Sequence, residues 1–162
     1  MNSSRKPRAF SYVLVSAAET DEYNAAGIGV IFKDDSGRTV SKISQAFGEQ
    51  TVDGATYEAL RIVLEEAMRL GVRVFAVYVD NPAVVAQLDT EQHARVPRDV
   101  LAAHLQVRAL MNAAGRVQIR LARAGRNLSA RGLARGATPG PRPSVRAYAP
   151  LQLPLLADTA AV

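Results

Sequence analysis

The sequence predicts an α/β domain: a mixed five-stranded sheet, an antiparallel meander followed by parallel strands, flanked by helices. Three observations predict it. Three strand-like runs come before any helical periodicity, and the last two are joined by a tight turn. After them, apolar β-branched runs alternate with helical patterns, which is the signature of parallel strands with helical crossovers. The 162 residues suffice for one domain with a full core.

Each element has its own signal. Residues 10–17 are rich in Val, Tyr and Phe and predict a strand. Residues 26–33, Ala-Gly-Ile-Gly-Val-Ile-Phe-Lys, predict a second. Asp34-Asp35-Ser36-Gly37 forms the turn, since Asp and Gly tolerate positive φ, and residues 38–48 return antiparallel. Over 53–70, Ala59, Leu60, Val63, Leu64, Ala67 and Leu70 recur at helical spacing, with Asp53 as cap and Gly71 as stop. Residues 72–79 are apolar and β-branched, a buried parallel strand. Pro82 opens a short helix to Leu88, and 90–97 form a loop. Residues 98–113 are a long helix ending near Gly115. In 116–123, Val117, Ile119 and Leu121 alternate with polar residues as in a half-buried strand. Residues 127–135 close the domain as a short helix capped by Asn127.

Composition sets the limits. With 48% hydrophobic and 22% charged residues the chain has an ordinary globular balance, and no apolar run approaches the roughly 20 residues that span a bilayer. No signal peptide is expected. The absence of cysteine excludes disulfides and thiolate metal sites and suits a reducing cytoplasm. Residues 1–7 are expected to be a flexible arm and 138–162, which hold five of the eight prolines, a Pro/Leu-rich tail. Charge is uneven: residues 1–94 carry 9 basic and 13 acidic residues, whereas 95–146 carry 11 arginines against Asp99 alone. A basic half suggests a polyanionic partner, although a preference for Arg over Lys and solvated helix faces also yield many arginines.

Four segments together resemble the ribonuclease H family, in its short form without a basic insertion, over residues 8–137. They are Ala26-Gly27-Ile28-Gly29-Val30-Ile31-Phe32, Ala55-Thr56-Tyr57-Glu58-Ala59-Leu60, the run from Val79-Asp80-Asn81-Pro82 to Gln87-Leu88, and Asn127-Leu128-Ser129-Ala130-Arg131-Gly132-Leu133-Ala134. The resemblance implies a domain that hydrolyses the RNA strand of an RNA–DNA hybrid with two Mg²⁺ ions. Such ions, near 4 Å apart, need closely grouped carboxylates. The family takes these from the end of the first strand, the first helix, the end of the fourth strand and the last helix.

Those positions read Ser16, Thr56, Asp80 and Arg131. One carboxylate, two hydroxyls and a guanidinium offer little to a hard cation, so no two-metal site is expected, with Asp80 at most a metal ligand. Arg131 is expected to pair with Asp80 instead. Among other carboxylates, Glu58 lies about 200° around the helix from Thr56 and should face away. Asp53 reads as a cap, and Glu19, Asp21 and Glu22 as loop residues. His93 and His104 have no ligand partner at helical spacing and read as structural or solvated. No dinucleotide fingerprint, phosphate-loop or nucleophile-elbow motif is present.

The expectation is a nucleic-acid-binding ribonuclease H-like protein without cleavage activity, using Arg116, Arg120, Arg123, Arg126, Arg131 and Arg135, on a hybrid, duplex or single strand. Two other classes compete with it. One is a divergent Mg²⁺-dependent ribonuclease H acting on RNA–DNA hybrids. The other is a scaffold that binds a protein, or its own domain, through residues 138–162.

Overall fold

A computed structural model describes residues 9–20, 25–123 and 125–137. The expected arm and tail lie outside the described residues. The elements are β1 (Tyr12–Glu19), β2 (Ala25–Lys33), β3 (Thr39–Gly48), α1 (Val52–Leu70), β4 (Val74–Val79), α2 (Pro82–Leu88), α3 (Arg98–Ala114), β5 (Arg116–Leu121) and α4 (Leu128–Arg135). The sheet runs β3-β2-β1-β4-β5. The first three strands are antiparallel, and β4 is parallel to both β1 and β5. This is the mixed α/β architecture that the order of periodicities predicts.

Alternation along the strands divides the sheet into two faces. Val13, Val15, Ile28, Val30, Val77 and Val79 point to one face and pack with Leu60, Val63 and Leu64 of α1. Burial of each such side chain is worth about 1.5–3 kcal/mol, and this layer is the main core. On the other face, Leu14 and Ile31 pack under Ala130 of α4, with Tyr12, Tyr78 and Leu133 at the margin.

Helix α4 approaches the sheet over two glycines. A Cβ at Gly29 would overlap the Ala130 carbonyl oxygen, and one at Gly27 the Ala134 carbonyl oxygen. Hence the Gly-Ile-Gly of β2 seats a helix whose facing residues are themselves small. Ser44 of β3 adds a hydrogen bond from its hydroxyl to the Leu133 carbonyl at 2.8 Å.

Two caps differ from the sequence expectation. Helix α1 starts at Val52, and Thr51 is its cap, its hydroxyl accepting from the Gly54 amide at 3.0 Å; Asp53 sits inside the first turn. Thr and Asp are both good capping residues, so neighbouring positions compete. Asn127 precedes α4 but makes no capping bond. Its amide reaches into the sheet instead. Gly71 ends α1 as expected, with φ 71° and its N–H bonded back to the last turn.

Candidate functional site

The parallel register of β1 and β4 pairs Val15 with Val79. The next residues, Ser16 within β1 and Asp80 just past the end of β4, therefore stand side by side. Ser16 is fully buried. Its hydroxyl donates to Asp80 Oδ2 at 2.8 Å. Arg131 reaches over from α4, and its Nη2 donates to the same oxygen at 3.3 Å. The Asp80 side chain is 11% exposed and that of Arg131 47%. One carboxylate oxygen thus receives a hydroxyl and a guanidinium. Attraction across such a partly exposed pair is worth about 0.2–1 kcal/mol.

Thr56, on the second turn of α1, is also fully buried. Its hydroxyl donates to the Val52 carbonyl at 2.8 Å and accepts from Asn81 Nδ2 at 3.3 Å. Asn81 itself was no candidate in the sequence, yet it joins three elements. Its Oδ1 accepts from the Val84 amide, capping α2, and its Nδ2 also donates to Asp53 Oδ1 at 2.7 Å. An Asn immediately before a Pro-initiated helix is a visible capping signal; its second bond, to α1, is not.

Asn127 is the other residue whose role the sequence concealed. It is buried, and its Nδ2 donates to the Val15 carbonyl at 2.7 Å and the Tyr78 carbonyl at 3.2 Å. It thereby pins the start of α4 between β1 and β4, just behind Ser16 and Asp80. Its Oδ1 is buried without a partner among the described residues.

Of the other candidate carboxylates, Asp53 joins this network through Asn81. Glu58 pairs with Arg61, which also holds Glu65. Glu19 and Asp53 line a cavity of about 490 Å³ with Thr20, Ala25, Gln50, Thr51 and Val52, at the start of α1. Asp21 and Glu22 lie outside the described residues. Among the described residues no three or more His, Asp or Glu side chains are grouped to hold a metal ion. The donor set at Ser16, Thr56, Asp80 and Arg131 does not fit a two-Mg²⁺ centre: its two hydroxyls are committed to protein acceptors and its carboxylate already faces a cation.

Both histidines are remote from this pocket in bonding. His93 is exposed on the loop after α2 and has φ 50°. His104 is buried, with its Nδ1 3.1 Å from the Tyr57 hydroxyl, which donates to Gln87 Oε1 at 2.6 Å. Burial, then the nearby Arg108, lowers the His104 pKa. Burial, then the charge of Asp53, pushes Tyr57 up to about 12, so its hydroxyl stays protonated and donating.

The six candidate arginines are exposed, but they do not form one cluster. Arg120 pairs in register with Tyr78, and the Arg126 guanidinium lies 4.4 Å above the Tyr78 ring. With Arg131 on Asp80, these three surround the end of β4. Arg135 is one helical turn beyond Arg131. Arg123 follows β5, and Arg116 begins it, about 13 Å from Arg120 along the strand. Arg116 and Arg120 share one sheet face, opposite Val117 and Ile119, which pack on the main core.

This fold defines a ribonuclease H-like domain. The chain belongs to the reverse transcriptase-like family, whose model matches residues 15–137. Among solved structures, it is similar to the N-terminal ribonuclease H domain of a Mycobacterium tuberculosis protein, solved as a fusion with maltose binding protein. The two are 27% identical, with TM-score 0.65, covering 76% of this chain and 91% of that one. Ribonuclease H1 from the halophilic archaeon Halobacterium salinarum matches at 23% identity and TM-score 0.68, covering 76% and 92%. A ribonuclease H1 isolated from compost, solved in complex with an RNA/DNA hybrid, matches at 21% identity and TM-score 0.69, covering 78% and 94%. No curated protein matches the chain significantly. No helix among the described residues is long and apolar enough to cross a membrane.

Proposed function

We propose that this protein binds nucleic acid and does not cleave it. The observation that carries the reading is the contact of Arg131 Nη2 with Asp80 Oδ2, 3.3 Å apart, with Ser16 on the same oxygen. A guanidinium beside the one carboxylate neutralises the charge that would attract Mg²⁺. It also leaves a pocket rim that favours phosphate. Arg120, Arg123, Arg126 and Arg135 extend the positive field, with Arg116 farther along the sheet. Support for a nucleic-acid ligand also comes from the compost ribonuclease H1, which is solved with an RNA/DNA hybrid. Contacts of this kind follow the backbone and read little sequence.

The test has two parts, both with the full chain. Incubation of a labelled RNA–DNA hybrid with Mg²⁺ or Mn²⁺ is expected to leave the RNA strand intact. Turnover abolished by Asp80→Asn would instead identify a divergent ribonuclease. Fluorescence anisotropy is expected to detect hybrid binding at about 50 mM salt, weakening by about tenfold or more at about 200 mM. Undetectable or salt-insensitive binding would overturn the reading.

A further inference from the structure

The α4 face of the sheet is only half covered. Helix α4 is seated over β2 and β1, with Ser44 of β3 at its margin. Among the described residues, no helix covers the half of this face formed by β4 and β5. Val74 is 70% exposed, and Arg116, Gln118 and Arg120 are all exposed. Parallel register sets Val74 beside Arg116, Ala76 beside Gln118 and Tyr78 beside Arg120. Tyr12, across β4 from Gln118, meets Tyr78 edge to face at 6.1 Å between centroids. Arg126 is laid over the Tyr78 ring.

We infer that this open half-sheet is a platform for single-stranded nucleic acid. The inference rests on the nucleic-acid reading above and names the form of ligand. Three features favour it. Arg116, Arg120 and Arg126 have no carboxylate partner among the described residues; Arg120 bonds only Gln118 and Arg126 only the Tyr78 ring. Their charge is available to a polyanion. The face also carries apolar and π surface, which a duplex cannot use because its bases are stacked inside. A single strand offers both phosphates and base faces. Finally, Tyr12 holds the Tyr78 ring edge-on while Arg126 presents a flat cation above it, and bases stack on guanidinium planes as on rings. Charge on an edge strand also deters strand-to-strand pairing, but that role asks nothing of Tyr12, Tyr78 or Arg126, which lie off the edge.

The experiment compares a labelled single-stranded RNA of about 12 nucleotides with the RNA–DNA hybrid of the same sequence, by anisotropy on the full chain. Tyr78→Ala is expected to weaken single-strand binding about tenfold and to leave hybrid binding within about twofold of its starting value. Tyr78→Phe, which keeps the ring, is expected to bind as the parent does. Arg120→Gln and Arg126→Gln are expected to lower the salt slope for the single strand by about 0.7 each. They read the same face from exposed positions if Tyr78→Ala unfolds. Single-strand affinity unmoved by these substitutions, or lost by Tyr78→Ala equally with the hybrid, would overturn the inference while leaving the broader reading intact. Competition by polyglutamate as effective as competition by RNA would assign the face to an acidic protein. Failure to bind either nucleic acid at low salt would remove both readings together.

Discussion

The chemistry of the pocket turns on one oxygen. Asp80 Oδ2 accepts from both Ser16 and Arg131. Ser16→Asp places a second carboxylate in a fully buried position against Asp80. Burying an unpaired charge beside a like one costs about 3 kcal/mol or more. Chemical denaturation at neutral pH should show that loss, and Mg²⁺ should not restore it while Arg131 remains. A Mg²⁺-dependent recovery in the single variant would mean that the arginine yields to metal. The four residue types at these positions were legible in the sequence once the segments were aligned. The pairing of Arg131 with Asp80 was legible too; that Ser16 shares the same oxygen while Thr56 turns to Val52 and Asn81 was not, because it depends on the β1–β4 register and on bonds between elements. The sequence marks Asn127 only as a cap, a role it does not play, and does not single out Asn81; their bonds to α1 and to two strand carbonyls connect parts of the chain far apart in sequence.

At the level of elements, two junctions hold the helices in place. The first is the glycine seat of α4. Gly29→Val inserts atoms where the Ala130 carbonyl already lies, so the helix must lift. Overpacking of this kind costs about 1–3 kcal/mol. The expected result is a lower unfolding midpoint, with faster amide exchange in α4 than in α1; unchanged exchange in α4 would contradict it. The sequence marks Gly27 and Gly29 as strand residues, and only the packed structure explains why two glycines occupy a strand interior, where they are otherwise unfavourable. The second junction is the Tyr57–Gln87–His104 contact that ties α1, α2 and α3. The His104 pKa in the fold lies below its ordinary 6.5, so the folded chain holds that proton less tightly than the unfolded one. Its contribution to stability is complete above about pH 6.5 and is lost as pH falls through the depressed value. Unfolding followed from pH 7.5 to about 5 should show this decline, and His104→Gln should flatten it. An identical slope in the variant would place the titration elsewhere.

For the whole molecule, the sequence disclosed the fold more fully than the surface. Periodicity located every helix and strand to within a few residues, because each is decided by neighbours close in sequence: the α1 stripe with Gly71 at its end, the Asp34–Gly37 turn, the alternation in β5. The arginine-rich half was equally plain as composition. Its distribution was not, since whether Arg116 and Arg120 face solvent or helix depends on how far α4 extends over the sheet. That extent is set by the glycine seat, not by any feature of β5 itself. Among the described residues, the same asymmetry gives the domain a side where α1 and α3 bury the core and another that carries arginines without carboxylate partners beside two tyrosines.

The bridging amide of Asn127 has a consequence in time. Strands β1 and β4 are synthesised long before residue 127. Until then the Val15 and Tyr78 carbonyls must be satisfied by water or remain exposed to other donors. A nascent sheet can therefore pair β1 with β4 early, but that joint gains its two Asn127 bonds only when the last helix arrives. The end of the domain acts as the latch on its beginning, and a ribosome that stalls before Asn127 leaves that latch open.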